Sequence, residues 1–279
     1  MTPALAEKYA ALQQRLHALG SVVVAFSGGV DSALLLKVAV VTLGRERVLA
    51  ITGRSPSVSS TELADAARLA TEIGAQHEFL DTAELDDPNY AANPNNRCYY
   101  CKTELYAKLI PLAAARGFNA VVSGTNSDDL GDYRPGLEAA SAQHVVAPLA
   151  DAGITKAELR ALAVELGLSI HDKPASPCLA SRLPYGEPVT PEKLRRIDAA
   201  ETFLHALGFR ECRVRHHERL ARIEVSPADL TRCVDPELRA RIDTRLRELG
   251  FQYVTLDLRG FRSGSLNEVL LGDGLRPGG

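Results

Sequence analysis

The stretch that decides the fold reads Val22-Val23-Val24-Ala25-Phe26-Ser27-Gly28-Gly29-Val30-Asp31-Ser32. Its first five residues are apolar or small and too few for a helix, which predicts a buried parallel strand. Two glycines then let the backbone turn and approach a ligand closely. The apolar run that follows predicts a helix whose N-terminus lies near Ser32. A strand, a glycine-rich turn and a helix N-terminus together present unpaired N–H groups to an anion.

The polar side chains of this turn suit a nucleotide. Ser27 and Ser32 offer hydroxyl groups, and the Asp31 carboxylate can hold Mg²⁺ that bridges phosphates. No lysine follows the glycines, so the pattern is not G-x-x-x-x-G-K-S/T. The run Ser27-Gly28-Gly29-Val30-Asp31-Ser32 instead resembles the PP-loop of N-type ATP pyrophosphatases, which cleave ATP between the α and β phosphates. The resemblance implies a pyrophosphate-binding loop, and an ordinary strand-to-helix turn is the alternative.

Length and composition indicate a globular protein with one large and one smaller domain. The chain has 279 residues, of which 46% are hydrophobic and 24% charged. A net charge of −3 gives no general attraction for nucleic acid or anionic membrane. No apolar run is long enough for a membrane span and the N-terminus has no signal-peptide core, so we expect a cytoplasmic location. The five cysteines are then expected to be ligands, reactive groups or core residues rather than disulfides.

Strands and helices alternate through the first part of the chain. Further strands are predicted at 47–52 and 77–80, and 120–129 is predicted to be a strand that ends in an acidic loop. This favours an α/β fold with a doubly wound parallel sheet and ligands at the carboxyl ends of its strands. Thr52 and Ser57 follow one such end and are candidates for adenosine contacts. Gly124, Asp128 and Asp129 follow another and could bind Mg²⁺ or ribose. Plain surface loops are the alternative at both places, and 132–136 is expected to be a loop on the substrate side.

Three cysteines lie in polar surroundings. Cys98 and Cys101 are three residues apart in a turn that leads into a helix, so they share a helix face and can bind one metal centre. A redox pair, half of a zinc site or two incidental cysteines remain alternatives. Cys178 lies in the stretch Lys173-Pro174-Ala175-Ser176-Pro177-Cys178-Leu179-Ala180-Ser181-Arg182, which two prolines stiffen. A cysteine beside arginine in such a loop is expected to be reactive or a ligand.

The composition changes near Pro188. A helix is predicted at 191–207, strands at 210–216 and 220–225, a helix or helices at 227–249 and a last strand at 253–256, which indicates a small α+β domain. We expect a first domain at 1–186, a second at 187–270 and a tail at 271–279. Arg213 and Arg215 alternate along one strand and so point to one face, where they could bind a phosphate or carboxylates, or pair with Glu218 or Glu224. Cys212 and Cys233 are expected in the core.

Taken together, the order of these motifs resembles the LarE-type ATP-dependent sulfur transferases of nickel-pincer cofactor synthesis. The resemblance implies an adenine nucleotide alpha hydrolase-like PP-loop domain. It also implies a reaction in which Mg-ATP adenylylates a carboxylate of pyridinium-3,5-biscarboxylic acid mononucleotide, pyrophosphate leaves, and sulfur displaces AMP. The matching landmarks are Ser27–Ser32, Gly124-Thr125-Asn126-Ser127-Asp128-Asp129, Pro177–Arg182, Arg213-Val214-Arg215 and Arg259-Gly260-Phe261-Arg262-Ser263-Gly264-Ser265.

The resemblance also implies individual roles. Asp31 would bind Mg²⁺, and Arg213 and Arg215 would bind the phosphate of the small-molecule mononucleotide. Arg182 and Glu201 are further candidates for the substrate site, with Glu201 a catalytic candidate. The resemblance suggests a homo-oligomer such as a hexamer. From the net charge we expect neither nucleic acid nor membrane as a partner.

The sulfur source divides the family. One branch sacrifices the cysteine that matches Cys178, and another holds a [4Fe-4S] cluster on three cysteines, whose fourth iron carries an extra sulfide. Because Cys98 and Cys101 accompany Cys178, the chain resembles the cluster branch, and we predict the cluster. Sulfide or a sulfur-donor protein would then recharge it, and zinc at the same cysteines is an alternative.

Three other functions fit parts of the pattern. A tRNA thiolase should carry a basic face for the RNA backbone. An ammonia-using PP-loop ligase would need no set of three cysteines. An ATP-binding sensor would bind nucleotide without releasing pyrophosphate.

Overall fold

The computed structural model describes residues 1–131, 135–173 and 176–262. They form two compact units, one of Met1–Tyr90 with Pro94–Ser176 and the other of Ala91–Asn93 with the chain from Pro177 onward. The expected domain boundary at 186/187 lies inside the second unit. The loop predicted at 132–136, the two residues 174–175 and the stretch 263–279 lie wholly or partly outside the described residues.

The first unit contains a four-stranded sheet in the order β3-β2-β1-β4, with every neighbouring pair parallel. This confirms the predicted α/β fold with a parallel sheet. Its elements are α1 (Pro3–Leu19), β1 (Val22–Ala25), α2 (Val30–Leu43), β2 (Val48–Arg54), α3 (Ser60–Ile73), β3 (Gln76–Asp81), α4 (Pro88–Ala91), α5 (Arg97–Ala115), β4 (Ala120–Ser123), α6 (Pro135–Ala142), α7 (Pro148–Asp151) and α8 (Lys156–Glu165).

Local chemistry sets the ends of the helices. The Ser59 hydroxyl accepts a hydrogen bond from the Glu62 N–H at 3.2 Å and begins α3, which ends at Gly74 in the left-handed conformation. α8 begins with a capping box, in which the side chains of Thr155 and Glu158 each bond the backbone of the other.

Both faces of the sheet are covered. On one face Val22, Val24 and Ala50 pack in the same core as residues of α2, α3 and α8. On the other face Val23, Leu49 and Ile51 pack with α5. Successive strand residues point to opposite faces, so these strands are apolar throughout because each face needs apolar side chains.

The strand order creates a crevice for a ligand. From β1 the chain builds β2 and β3 on one side and then returns to place β4 on the other side. The connections after β1 and β4 therefore leave the sheet in different directions, and parallel sheets bind ligands at such a switch point. The loop beginning at Ser27 and the loop beginning at Gly124 both start there.

The second unit contains α9 (Pro191–Ala206), β5 (Cys212–His217), β6 (Leu220–Val225), α10 (Leu230–Cys233), α11 (Pro236–Glu248) and β7 (Tyr253–Leu256). The sheet order is β5-β6-β7, with β5 and β6 antiparallel and β6 and β7 parallel. Cys212 and Cys233 lie in its core with Phe209 and Phe251, which confirms their predicted burial. Among the described residues, no helix is both long and apolar enough to cross a membrane.

Candidate functional site

The glycine-rich loop is closed by hydroxyl groups. The Ser32 hydroxyl lies 3.2 Å from the Ser27 N–H and 3.1 Å from the Ser27 hydroxyl, and it donates to the Gly29 carbonyl at 3.1 Å. Gly28 has φ 73°, and a Cβ there would lie 3.1 Å from the Ala66 methyl group. Both conditions require glycine at this position. The loop therefore has a defined shape before any ligand binds.

The N-terminus of α2 is open to an anion. Gly29, the residue before the helix, has no side chain, so it cannot cap the first N–H groups of α2. The backbone of Gly124 lies directly against this first turn, because a Cβ on it would be 2.7 Å from the Ser32 nitrogen and 2.9 Å from the Asp31 carbonyl carbon. The loops after β1 and β4 thus form the walls of one site.

The Asp31 carboxylate forms an ion pair with a lysine side chain. Its two carboxylate oxygens accept hydrogen bonds from the Lys156 ammonium at 2.6 and 2.5 Å. The Asn126 amide donates to Oδ1 at 3.2 Å. The Asp31 side chain is 29% exposed, so the carboxylate remains within reach of solvent and of ligands.

The two acidic residues predicted near the nucleotide shape their own loop. Asp128 accepts a hydrogen bond at 2.8 Å from the backbone N–H of Lys156, at the start of α8. Asp129 is buried and accepts one at 3.0 Å from the backbone N–H of Asn126. Both carboxylates therefore hold the backbone that presents Asn126 and Lys156 to Asp31.

Thr52 and Ser57, the predicted adenosine contacts, are buried. The Thr52 hydroxyl lies 2.9 Å from Nε2 of His77, and the Ser57 hydroxyl lies 2.7 Å from the hydroxyl of Tyr90. Burial lowers the pKa of His77, so the ring is neutral near pH 7. Both hydroxyl groups are therefore hydrogen-bonded within the protein. These contacts hold the end of β2 and the loop that follows it.

The three candidate ligand cysteines belong to different units. Cys98 and Cys101 lie in the first two turns of α5 in the first unit, with Cys98 exposed and Cys101 half-buried. Cys178 begins a short 3₁₀ turn, Leu179–Arg182, in the second unit. None of the three forms a disulfide. Across 1–131, 135–173 and 176–262, no group of three or more histidine, cysteine or acidic side chains is assembled for a metal ion.

The Cys178 turn is held by a buried ion pair. Nη1 of Arg182 donates to the carbonyls of Pro177 at 2.5 Å and Cys178 at 3.0 Å. Nε and Nη2 of the same guanidinium donate to the two oxygens of Glu201 at 2.9 and 2.8 Å. Burial alone would lower the pKa of Arg182, but the Glu201 carboxylate raises it above its usual value.

The geometry gives Glu201 a positioning role. One of its oxygens also accepts the backbone N–H of Val214 at 2.9 Å, so α9, β5 and the Cys178 turn meet at this carboxylate. Glu201 and Arg182, both candidates for substrate contacts, therefore support the loop that carries Cys178.

Arg213 and Arg215 share one face of β5, whereas Cys212 and Val214 pack into the core on the other face. Arg215 makes two hydrogen bonds to Glu224 at 3.0 and 2.9 Å, which matches one of the two predicted partners. This pair is buried, not solvated as the salt-bridge alternative assumed.

Arg213 differs in its surroundings. It donates to the Cys212 carbonyl at 2.8 Å and lies over the ring of Phe261 at 5.1 Å. Burial and then the positive charge of Arg182 lower the pKa of Arg213. A bound anion would relieve that repulsion.

Lys156 is the site residue that the sequence did not predict. The pattern around it marked only the beginning of a helix, and nothing local indicates that its side chain reaches a carboxylate 125 residues earlier in the chain. The capping box at Thr155 and Glu158 was the available signal, because it places Lys156 in the first helical turn after the loop at 124–129.

Comparison with known proteins agrees with this geometry. The NAD synthase family profile matches residues 5–126. An uncharacterized protein of Synechocystis sp. is 48% identical over 95% of this chain and 99% of its own, and one of Methanocaldococcus jannaschii is 30% identical over 87% and 91%. The pyridinium-3,5-bisthiocarboxylic acid mononucleotide synthase of Lactiplantibacillus plantarum is 41% identical over 95% of this chain and 96% of its own. The chain therefore belongs to the LarE-type family of that synthase.

Proposed function

We propose that the protein is an ATP-dependent sulfur transferase that converts a carboxylate of pyridinium-3,5-biscarboxylic acid mononucleotide into a thiocarboxylate. The observation that carries the proposal is the open N-terminus of α2, with Asp31 in its first turn and Gly124 packed against it. The nearly full-length similarity to the synthase from L. plantarum supports the choice of substrate.

The first unit would activate the carboxylate. A substrate oxygen attacks the α phosphorus of ATP, an O–P bond forms, and the bond to the β phosphate breaks to release pyrophosphate. The N–H groups at the start of α2 and the hydroxyls of Ser27 and Ser32 are suited to hold the leaving pyrophosphate. Mg²⁺ fits beside them, because the Asp31 carboxylate already holds a cationic ammonium group. When bound, Mg²⁺ would neutralise phosphate charge.

The second unit would bind the mononucleotide. Arg213 and Arg215 present two guanidiniums on one strand face, which suits a phosphate, and burial followed by repulsion from Arg182 lowers the pKa of Arg213. Arg215 is oriented by Glu224, and Arg182 is oriented by Glu201. Thr52 and Ser57 would shape the nucleotide pocket through their side-chain contacts with His77 and Tyr90. Asp128 and Asp129 would do so through the backbone N–H groups that they bind.

Sulfur would then attack the acyl carbon, a C–S bond would form, and AMP would leave with the former carboxylate oxygen. We propose that Cys98, Cys101 and Cys178 hold a [4Fe-4S] cluster, because three cysteines outside any disulfide form the donor set that such a cluster needs. When bound, the cluster would supply sulfide, recharged by free sulfide or by a donor protein. We further propose a cytoplasmic location, since these thiols must remain reduced. We also propose a homo-oligomer, as the family resemblance suggests.

The decisive experiment supplies Mg-ATP and the biscarboxylic mononucleotide to anaerobically reconstituted protein. We expect substrate-dependent pyrophosphate release and a product heavier by one replacement of oxygen by sulfur, with the protein mass unchanged. A protein mass loss of about 34 Da, equivalent to H₂S, would instead establish sacrifice of Cys178. Pyrophosphate release that depends on tRNA, or full activity of Cys178→Ala with ammonia, would overturn the proposal.

A further inference from the structure

Lys156 and Asp31 form a close ion pair between the start of α8 and the start of α2. The ammonium lies within 2.6 Å of both carboxylate oxygens. The side chains of Lys156 and Asp31 are 39% and 29% exposed, so water and ions can reach the pair. The Asn126 amide, at 3.2 Å, is a further donor to this carboxylate.

The backbone of Lys156 is held while its side chain can move. Its N–H is bonded by Asp128, and the preceding Thr155 belongs to the capping box of α8. A lysine side chain carries its charge at the end of a flexible four-carbon chain, so its ammonium can change partners without movement of the helix.

A divalent cation must compete with this ammonium. Mg²⁺ would use the same carboxylate lone pairs that now accept the Lys156 hydrogen bonds, and two cations cannot share them without strong repulsion. A metal that arrives with a triphosphate changes the balance, because its phosphate oxygens offer the displaced ammonium a new anionic partner beside the N-terminus of α2.

We propose that Lys156 is the resident counter-ion of Asp31, which keeps free divalent metal out and yields the carboxylate only to metal that arrives with nucleotide. This inference rests on the proposed role of Asp31 as a metal ligand. It makes metal and nucleotide binding mutually dependent, so that the site does not fill with metal alone.

The test measures Mn²⁺ binding by the electron paramagnetic resonance of the free ion, without substrate or turnover. In Lys156→Met, we expect Mn²⁺ alone to bind about tenfold or more tightly than in the unmodified protein, because the competing charge is gone. We expect the complex of Mn²⁺ with a non-hydrolysable ATP analogue to bind about tenfold more weakly. Lys108→Met is the matched control, since Lys108 is 40% exposed and pairs with Glu104 on α5. It should change neither affinity.

The two opposite changes distinguish this role from a structural one. Unchanged or weaker binding of Mn²⁺ alone by Lys156→Met, with an unaltered circular dichroism spectrum and melting temperature, would overturn the inference. Adding Asp31→Asn to Lys156→Met should abolish the gained affinity; retained affinity would also refute the proposal. If both affinity changes occur but no thiocarboxylate forms in the turnover assay, the counter-ion role stands and the proposed substrate is wrong.

Discussion

Arg182 and Glu201 form a two-bonded ion pair whose side chains are only 2% and 7% exposed. The same guanidinium bonds the carbonyl of Cys178. The conformation of the turn that bears this thiol therefore depends on a carboxylate in the following helix α9.

The first prediction concerns this pair. Glu201→Gln should lower the free energy of unfolding by about 3 kcal/mol, because it leaves Arg182 buried without a full counter-charge. Urea denaturation monitored by circular dichroism measures the change. Glu248→Gln, in an exposed pair with Arg245, should cost less than about 1 kcal/mol.

A double variant separates charge from packing. Arg182→Met with Glu201→Leu should recover much of the stability lost in Glu201→Gln, because no unpaired charge remains. In the double variant iodoacetamide should modify Cys178 faster, since the turn has lost its bonds from Arg182. A rate equal to that of the unmodified protein would contradict the positioning role of the pair.

The second prediction concerns Gly124. Gly124→Ala would place a methyl group 2.7 Å from the Ser32 nitrogen and force the two loops apart. We expect ATP affinity, measured by isothermal titration calorimetry, to fall about tenfold or more, with a loss of stability of about 1–3 kcal/mol. Gly131→Ala is the control, because a Cβ there meets no atom within 4 Å. Equal affinity in both variants would contradict the proposed contact between the loops.

The third prediction concerns pH. Burial lowers the pKa of His216 below its usual 6.5, with repulsion from Arg196 and Lys193 adding to the effect and Glu187 opposing it. The folded protein therefore favours the neutral ring. This preference stabilises the fold above pH 6.5, and the stabilisation is lost as the pH falls.

We expect the free energy of unfolding to decrease as the pH falls from 7 to 5, with part of the decrease due to His216. Urea denaturation across this range should show a shallower pH dependence for His216→Gln. The exposed His171, changed to Gln, should keep the slope of the unmodified protein. Identical slopes in all three proteins would exclude the assigned role of His216.

The fourth prediction concerns the cysteines. After anaerobic reconstitution with iron and sulfide, Cys98→Ser should lose the visible absorbance band and the bound iron, because one of three thiolate ligands is gone. Cys233→Ser should keep both, since Cys233 lies in the core of the second unit. A chromophore that survives in Cys98→Ser would remove this residue from the ligand set.

Many of the strands and helices were predictable from short sequence patterns. β1, α2 and the glycine turn were predictable because burial, turn formation and helix initiation depend on adjacent residues. β6 and β7 were predicted at their observed bounds, 220–225 and 253–256, for the same reason. The second unit was not delimited by these patterns, because the inclusion of Ala91–Asn93 depends on contacts with residues distant in sequence.

The motifs named candidate site residues but gave no indication of their ion pairs. Asp31 and Arg182 stood out from their motifs. Their partners Lys156 and Glu201 reach them only through the tertiary fold, so Lys156 was not predicted and Glu201 was assigned to substrate. Side-chain pairing over such separations leaves no periodic signal in a single sequence.

Because Ala91–Asn93 belong to the second unit, one continuous stretch of the gene starting at Pro177 does not encode the whole of that unit. The Asn93 amide donates to the Pro184 carbonyl at 2.7 Å, its own carbonyl accepts from Gly186 at 2.9 Å, and the Ala91 carbonyl accepts from Val189 at 2.8 Å. A recombinant fragment starting at Pro177 would be translated without the tripeptide that completes these bonds. Such a fragment should therefore be less stable alone than together with a fragment that contains Ala91–Asn93.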